Sequence, residues 1–120
     1  SSEPSTLHHE MELLAGSFKK LSRAMRKPDP AQTTLYIKWA ESMLARAQAC
    51  KALVPTLTNG LPVTEQRSLI ASYRRDLRET IKSMEKLVSS LKAGNLLDAA
   101  KIVKKLKKQR NMAHAKYQEE

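Results

Sequence analysis

Residues 64–93 read TEQRSLIASYRRDLRETIKSMEKLVSSLKA and contain neither proline nor glycine. Side chains that suit a core recur at steps of three and four, at Ile70, Tyr73, Leu77, Thr80, Met84, Leu87 and Leu91. Because an α-helix turns once in about 3.6 residues, this spacing places them on one face of a helix. A half-buried strand would alternate apolar and polar residues, which this stretch does not do. We therefore predict a long amphipathic helix over residues 64–93.

Three further segments of the chain carry the same periodicity. All five prolines lie at or beyond the ends of these segments, and Gly94 with Asn95 separates the last two. Since a proline inside a helix costs about 3 kcal/mol, helices are expected between these points. Thr6, Asp29 and Thr64 stand where residues that cap a helix N-terminus are expected. The predicted helices cover approximately residues 6–27, 30–53, 64–93 and 95–118.

The connections between the predicted helices indicate how the helices are arranged. Two of these connections are very short, which makes the flanking helices antiparallel neighbours. The steps of three and four average about 3.5 residues, which favours near-parallel packing with a shallow left-handed crossing. We predict an all-α protein, an antiparallel up-down-up-down four-helix bundle that forms a single domain over residues 1–120.

The chain is strongly basic. It has 22 Lys and Arg against 12 Asp and Glu, a formal net charge of +10. Such a field attracts acidic proteins, anionic membranes or nucleic acids without choosing among them. No apolar run approaches the ~20 residues of a transmembrane helix, so no transmembrane segment is predicted. Cys50 is the single cysteine, which excludes an internal disulfide and a multi-cysteine metal site.

The motifs of most enzyme classes are absent from the sequence. No Ser, Cys and His follow a known nucleophile pattern, and no glycine-rich loop could hold a phosphate. The paired inward carboxylates of a di-iron bundle are also missing from the apolar faces. We therefore expect a protein that is not an enzyme.

Histidine and methionine near the two ends of the chain are the candidate metal ligands. His8 and Met11 are three residues apart and could bind copper together, although solvated histidines in a first helical turn are the simpler interpretation. His114 borders the apolar face of the last helix. In an antiparallel bundle, Met11 at ~6 Å and His114 at ~9 Å from the same end would face each other. A thioether and an imidazole together form an axial ligand set for haem iron.

Two stretches of the sequence resemble a known family. Residues 7–18 read LHHEMELLAGSF, and residues 106–117 read LKKQRNMAHAKY. Together with the helix order and length, they resemble the soluble cytochrome b562 family of periplasmic four-helix haem proteins. The resemblance implies that Met11 is the sixth iron ligand and His114 the fifth. It also implies a haem pocket formed by Leu7, Leu14, Phe18, Pro55, Tyr73, Leu77 and Arg110.

The resemblance also has consequences for the cofactor. Tyr73 and Leu77 replace two phenylalanines of the family, so the pocket is expected to be less aromatic. No Cys-x-x-Cys-His sequence is present, so the haem would be held noncovalently, as b-type haem.

The resemblance further implies a small electron-transfer protein in the periplasm, a mature chain whose signal peptide has been removed. We expect a monomer or weak dimer and an acidic redox partner protein. The alternative is a cofactor-free helical binding protein of the cell envelope that uses a basic face.

Two neighbouring predicted helices would carry that basic face. Nucleic-acid binding is disfavoured, because neither helix-turn-helix spacing nor an aromatic stacking platform is present. The basic residues of the face are Arg74, Arg75, Arg78, Lys82, Lys86, Lys101, Lys104, Lys105, Lys107 and Lys108.

Overall fold

The fold consists of four α-helices, seen in a computed structural model that describes residues 6–53 and 60–117. The helices are α1 (Leu7–Ala24), α2 (Thr33–Ala49), α3 (Val63–Lys92) and α4 (Leu96–Tyr117), and short 3-10 turns at Pro30–Gln32 and Cys50–Ala52 flank α2. Within the described ranges there is no strand, which confirms the all-α prediction. In the same ranges, none of the helices contains an apolar stretch that could span a lipid bilayer.

Polar contacts between helices show that neighbouring helices run in opposite directions. Between α1 and α2 they join Glu10 to Arg46 and Ser17 to Ser42. Between α2 with its following turn and α3 they join Glu41 to Lys92 and Cys50 to Tyr73. Between α3 and α4 they join Asp76 to Lys116 and Ser90 to Asp98. In each set the residue number rises on one helix while it falls on the next. The up-down-up-down order predicted from the short connections is therefore confirmed.

The helix starts follow local capping chemistry at two of the three predicted positions. The Thr6 side chain accepts a hydrogen bond from the His9 N–H (3.1 Å), and Asp29 accepts one from Ala31 (3.0 Å). The prediction that Thr64 caps the third helix is wrong. The Gln66 N–H already bonds the Pro62 carbonyl at 2.9 Å, so α3 begins at Val63 and Thr64 lies inside its first turn.

The hydrophobic core is concentrated toward one end of the bundle. Among the α4 residues whose burial the structure describes, Leu106 is the last buried one, although the helix continues for three more turns to Tyr117. On α3, Tyr73 is the only buried residue described before Ile81. The core comprises Phe18, Leu21, Met25, Tyr36, Ala40, Met43, Ala47, Ile81, Met84, Leu87, Val88, Leu91, Ala99, Val103 and Leu106. The end of the bundle that holds Met11, Tyr73 and His114 is consequently less tightly filled.

Two glycines are expected to respond to alanine in opposite directions. Gly94 has φ of 75°, a left-handed conformation that ends α3 and that a side chain disfavours. Gly16 lies inside α1, and a Cβ there would meet nothing within 4 Å. We expect Gly94→Ala to lower the free energy of unfolding by about 1 kcal/mol and Gly16→Ala to raise it by about 0.5–1 kcal/mol. Urea unfolding followed by circular dichroism measures both, and a shift of both variants in the same direction would contradict this expectation.

Candidate functional site

A cavity of about 340 Å³ opens at the less tightly filled end of the bundle. Helices α1 and α2, α2 and α3, and α3 and α4 pack along much of their length, whereas α1 and α4 contact each other only sparsely. The cavity lies in this seam and is lined by residues of all four helices. They are Met11, Leu14, Phe18, Met43, Ala47, Tyr73, Asp76, Leu77, Glu79, Thr80, Met84, Leu106, Gln109, Arg110, Met112, Ala113, His114 and Lys116.

The cavity has the size and chemistry of a site for an organic cofactor. Small-molecule sites in proteins measure about 300–1,000 Å³ and combine apolar walls with a few polar groups. Here apolar side chains such as Leu14, Phe18 and Leu77 belong to the lining. Asp76 and Lys116 also belong to it and form an ion pair at 3.0 Å between α3 and α4. An occupant would be held mainly by apolar contacts and would meet charge at this pair.

Arg110 bridges the seam between α4 and α1. Its guanidinium carbon lies 5.2 Å from the centroid of the Phe18 ring, which is within the range of a cation–π interaction. Because both residues line the cavity, this contact closes part of the seam with a positive charge. An anionic group of an occupant would be attracted to this side of the cavity.

The turn after α2 holds two lining residues in place. The Cys50 thiol lies 4.0 Å from the sulfur of Met11, and the Tyr73 hydroxyl donates a hydrogen bond to the Cys50 carbonyl at 3.5 Å. Cys50 itself is fully buried. The thioether of Met11 therefore has a fixed neighbour on the α2 side, which restricts the positions open to its sulfur.

Burial makes the Cys50 thiol hard to ionise. Removal from water and, to a smaller extent, the nearby carboxylate of Glu10 together raise its pKa from 9.0 to about 11. Glu10 is itself buried and lies 3.3 Å from the guanidinium of Arg46. Since the thiolate is the reactive form of cysteine, Cys50 is held in an inert state at neutral pH.

Alkylation of Cys50 is expected to be slow in the folded protein. At pH 8 a pKa raised from 9.0 to about 11 lowers the thiolate fraction roughly 100-fold, and burial blocks the reagent as well. Iodoacetamide labelling followed by mass spectrometry measures the rate, with the guanidinium-unfolded chain as reference. Between pH 9 and pH 11 the rate should climb about 50-fold in the folded protein but only about twofold in the unfolded chain, whose thiol is already half ionised at pH 9. Equal rates in folded and unfolded protein at pH 8 would contradict the burial of this thiol.

The structure brings most of the sequence-predicted site residues to one cavity. Leu7 is half-buried and does not belong to the lining, and Pro55 falls in residues 54–59, outside the described part of the chain. Met11 is half-buried on α1, and His114 is exposed at the mouth on α4. The residues that line the cavity together are Met11, Leu14, Phe18, Tyr73, Leu77, Arg110 and His114.

Two polar residues of this region were not found from the sequence. Glu10 is almost fully buried because it faces α2, where Arg46 meets it. The Oε1 atom of Gln109 is buried in the cavity wall and has no hydrogen-bond partner in the described part of the chain. A buried acceptor left unpaired costs about 1–3 kcal/mol, so the cavity favours an occupant with a polar group. The sequence pattern does not reveal that a single glutamate or glutamine in a helix is buried or lacks a hydrogen-bond partner.

The metal-binding side chains of the cavity are few, so they suit a metal whose other ligands are supplied by a cofactor. Within the described residues no group of three or more His, Cys, Asp or Glu could hold a metal ion. The iron of a haem has four porphyrin nitrogens and requires at most two ligands from the protein. One thioether, one imidazole and an apolar cavity between them fit such a group.

A comparison with models of protein families gives a match. The family model described as Cytochrome b562 matches residues 6–118 of the chain, which include all four helices and the lining of the cavity. A comparison with curated proteins found no match.

Proposed function

The chain belongs to the cytochrome b562 family, and on that premise we propose that it carries electrons with one b-type haem held noncovalently between α1 and α4. Met11 and His114 are the proposed axial ligands. The family suggests a small haem-binding electron-transfer protein. The ligand pair, the haem type and its noncovalent attachment are the further steps that we propose.

One observation carries the ligand assignment: Met11 of α1 and His114 of α4 both line the same cavity. They stand on the two helices that border the seam, so an occupant of the seam would have one of them on each side. Met11 is further restrained by the Cys50 thiol at 4.0 Å. No Cys-x-x-Cys-His sequence is present for covalent attachment, which supports a b-type haem.

The surroundings of the cavity support electron transfer rather than catalysis. A bound haem supplies a one-electron ferric–ferrous couple, and methionine with histidine as ligands favours the ferrous form. Leu14, Phe18 and Leu77 exclude water from the site, and Arg110 and Lys116 place positive charge where the carboxylates of a haem would be favoured. With both axial positions taken by side chains, no coordination site would remain for a substrate. We therefore propose a carrier that is not an enzyme.

The setting of the protein is part of the same proposal. The family is periplasmic, and we place this protein in the periplasm, where an acidic redox partner would be attracted by a net charge of +10. Its expected state there is a monomer or a weak dimer.

Titration of the purified protein with haemin tests the proposed function. We expect saturation at one haemin per chain and sharp low-spin bands in the visible spectrum after dithionite reduction. Acidic organic solvent should extract all of the haem, as noncovalent attachment requires. A spectrum that stays that of free haemin would contradict the proposal and leave the cofactor-free binding protein of the cell envelope as the better interpretation.

A further inference from the structure

The solvent side of α4 carries an unusual set of exposed residues, which we call the outer stripe of α4. Its members follow one another at steps of four, three, four and four, so they lie on one side of the helix. The buried residues Ala99, Val103 and Leu106 lie on the other side. The outer stripe of α4 consists of Leu97, Lys101, Lys104, Lys108 and Met112.

The positive charge of this stripe is not compensated by the residues that the structure describes. Elsewhere Lys82, Lys92 and Lys116 each meet a carboxylate at 3.0–3.4 Å. In the described part of the chain, no acidic side chain pairs with any lysine between residues 101 and 108, although five lysines stand there. Like charges three or four residues apart on a helix repel each other. A partner that brings negative charge would relieve this repulsion.

The two ends of the stripe are apolar. Leu97 is 73% exposed and Met112 is 72% exposed, more than any other large hydrophobic side chain that the structure describes. They are 15 residues apart along α4, a distance of about 22 Å. Exposed apolar residues next to polar ones are typical of protein–protein interfaces, where methionine is enriched. The stripe therefore combines apolar anchors with a charged centre.

A second basic cluster, on α1 and in the turn that follows it, lacks these features. Lys19, Lys20 and Lys27 are exposed and also have no acidic partner in the described part of the chain. No strongly exposed large hydrophobic residue stands beside them, and none of the three belongs to the lining of the cavity. The outer stripe of α4, in contrast, reaches the cavity, because Met112 belongs to its lining.

We propose that the outer stripe of α4 is the docking surface for an acidic protein partner. The proposal rests on the proposed function only in taking that partner to be a redox protein. A protein fits better than a nucleic acid or a membrane, because the stripe ends in two exposed apolar residues, as protein interfaces do, and lacks the aromatic side chains that commonly stack on bases or enter lipid interfaces. Among the aromatic side chains that the structure describes, Phe18, Tyr36 and Tyr73 are buried and Trp39 is half-buried.

The test uses haem-loaded protein and a fluorescent peptide of glutamates with leucine at every fourth position. Two triple variants that change the net charge equally are compared. The α4 variant carries Lys101→Glu, Lys104→Glu and Lys108→Glu, and the α1 variant carries Lys19→Glu, Lys20→Glu and Lys27→Glu. At low ionic strength we expect the α4 variant to lose at least about tenfold in affinity and the α1 variant less than about threefold. The double variant Leu97→Ser/Met112→Ser should bind this peptide about fivefold more weakly and should bind an all-glutamate peptide as tightly as the wild type does.

Two results would overturn the docking surface. If the two charge variants lost the same amount of affinity for the peptide, overall charge alone would attract it. If duplex DNA or phosphatidylglycerol vesicles bound more tightly than the peptide, and this binding were lost in the α4 variant, the stripe would belong to another class of partner. The titration is repeated without haem, with circular dichroism to verify folding. Peptide binding retained in a protein that takes up no haem would contradict the proposed function and leave the docking surface standing.

Discussion

Substitution of either proposed axial ligand is expected to remove the low-spin haem spectrum. His114→Ala should lower the affinity for haemin at least about 100-fold, because even residues that only support a metal ligand contribute 10–100-fold. Met11→Ala should retain more affinity but give a high-spin spectrum, since the sixth position would be open. Haemin titration and the visible spectra of both oxidation states measure these effects.

The chain offers matched controls for both ligand variants. His9 lies in the first turn of α1, exposed and outside the cavity lining, so His9→Ala should leave haem binding unchanged. Met112 stands at the rim of the cavity and is 72% exposed, so Met112→Ala should keep the low-spin spectrum. Low-spin spectra in both Met11→Ala and His114→Ala would show that other groups ligate the iron.

Leu87→Ala is expected to cause a large loss of stability without touching the cavity. Leu87 is completely buried in the core on α3, and its truncation removes apolar contacts and leaves a void. Such changes cost about 2–5 kcal/mol. For a chain of this size, a loss of about 3 kcal/mol corresponds to a fall in Tm of roughly 10–15 °C. Thermal unfolding of the haem-free protein, followed by circular dichroism, measures the change.

Leu97→Ala is the matched control for this core substitution. Leu97 is 73% exposed on α4, so its truncation should change the stability by less than about 0.5 kcal/mol. Leu87 does not line the cavity, so haem affinity of the folded Leu87→Ala protein should stay close to that of the wild type. Similar Tm values for the two leucine variants would contradict the assignment of the core to this end of the bundle.

The sequence was sufficient for the fold class because periodicity records burial directly. The spacing of Tyr73, Met84 and Leu87 predicted one buried face for α3, and all three are buried there. The start of α3 was harder to predict, since a backbone hydrogen bond to Pro62 decides it rather than a side chain of Thr64. The predicted end of the first helix, near residue 27, is also too late, because α1 ends at Ala24 and the following residues form a turn.

The candidate site was only partly predictable, because its contacts join residues that are distant in sequence. Family resemblance gave Met11 and His114, and both line the cavity. The contact of Cys50 with Met11 and the unpaired oxygen of Gln109 depend on how α2, α3 and α4 meet. Cys50 continues the apolar stripe that Ala40, Met43 and Ala47 form on α2, and it is buried with them. Its position against the Met11 sulfur could not be read from that stripe.

X-ray absorption at the iron edge of the haem-loaded, reduced protein tests the proposed ligation most directly. With Met11 and His114 bound, the first shell of the iron contains one sulfur and five nitrogen neighbours. The Met11→Ala protein, measured in the same way, should lose the sulfur and keep the nitrogens. A first shell without sulfur in the wild-type protein would contradict the proposal that Met11 and His114 hold the haem between α1 and α4.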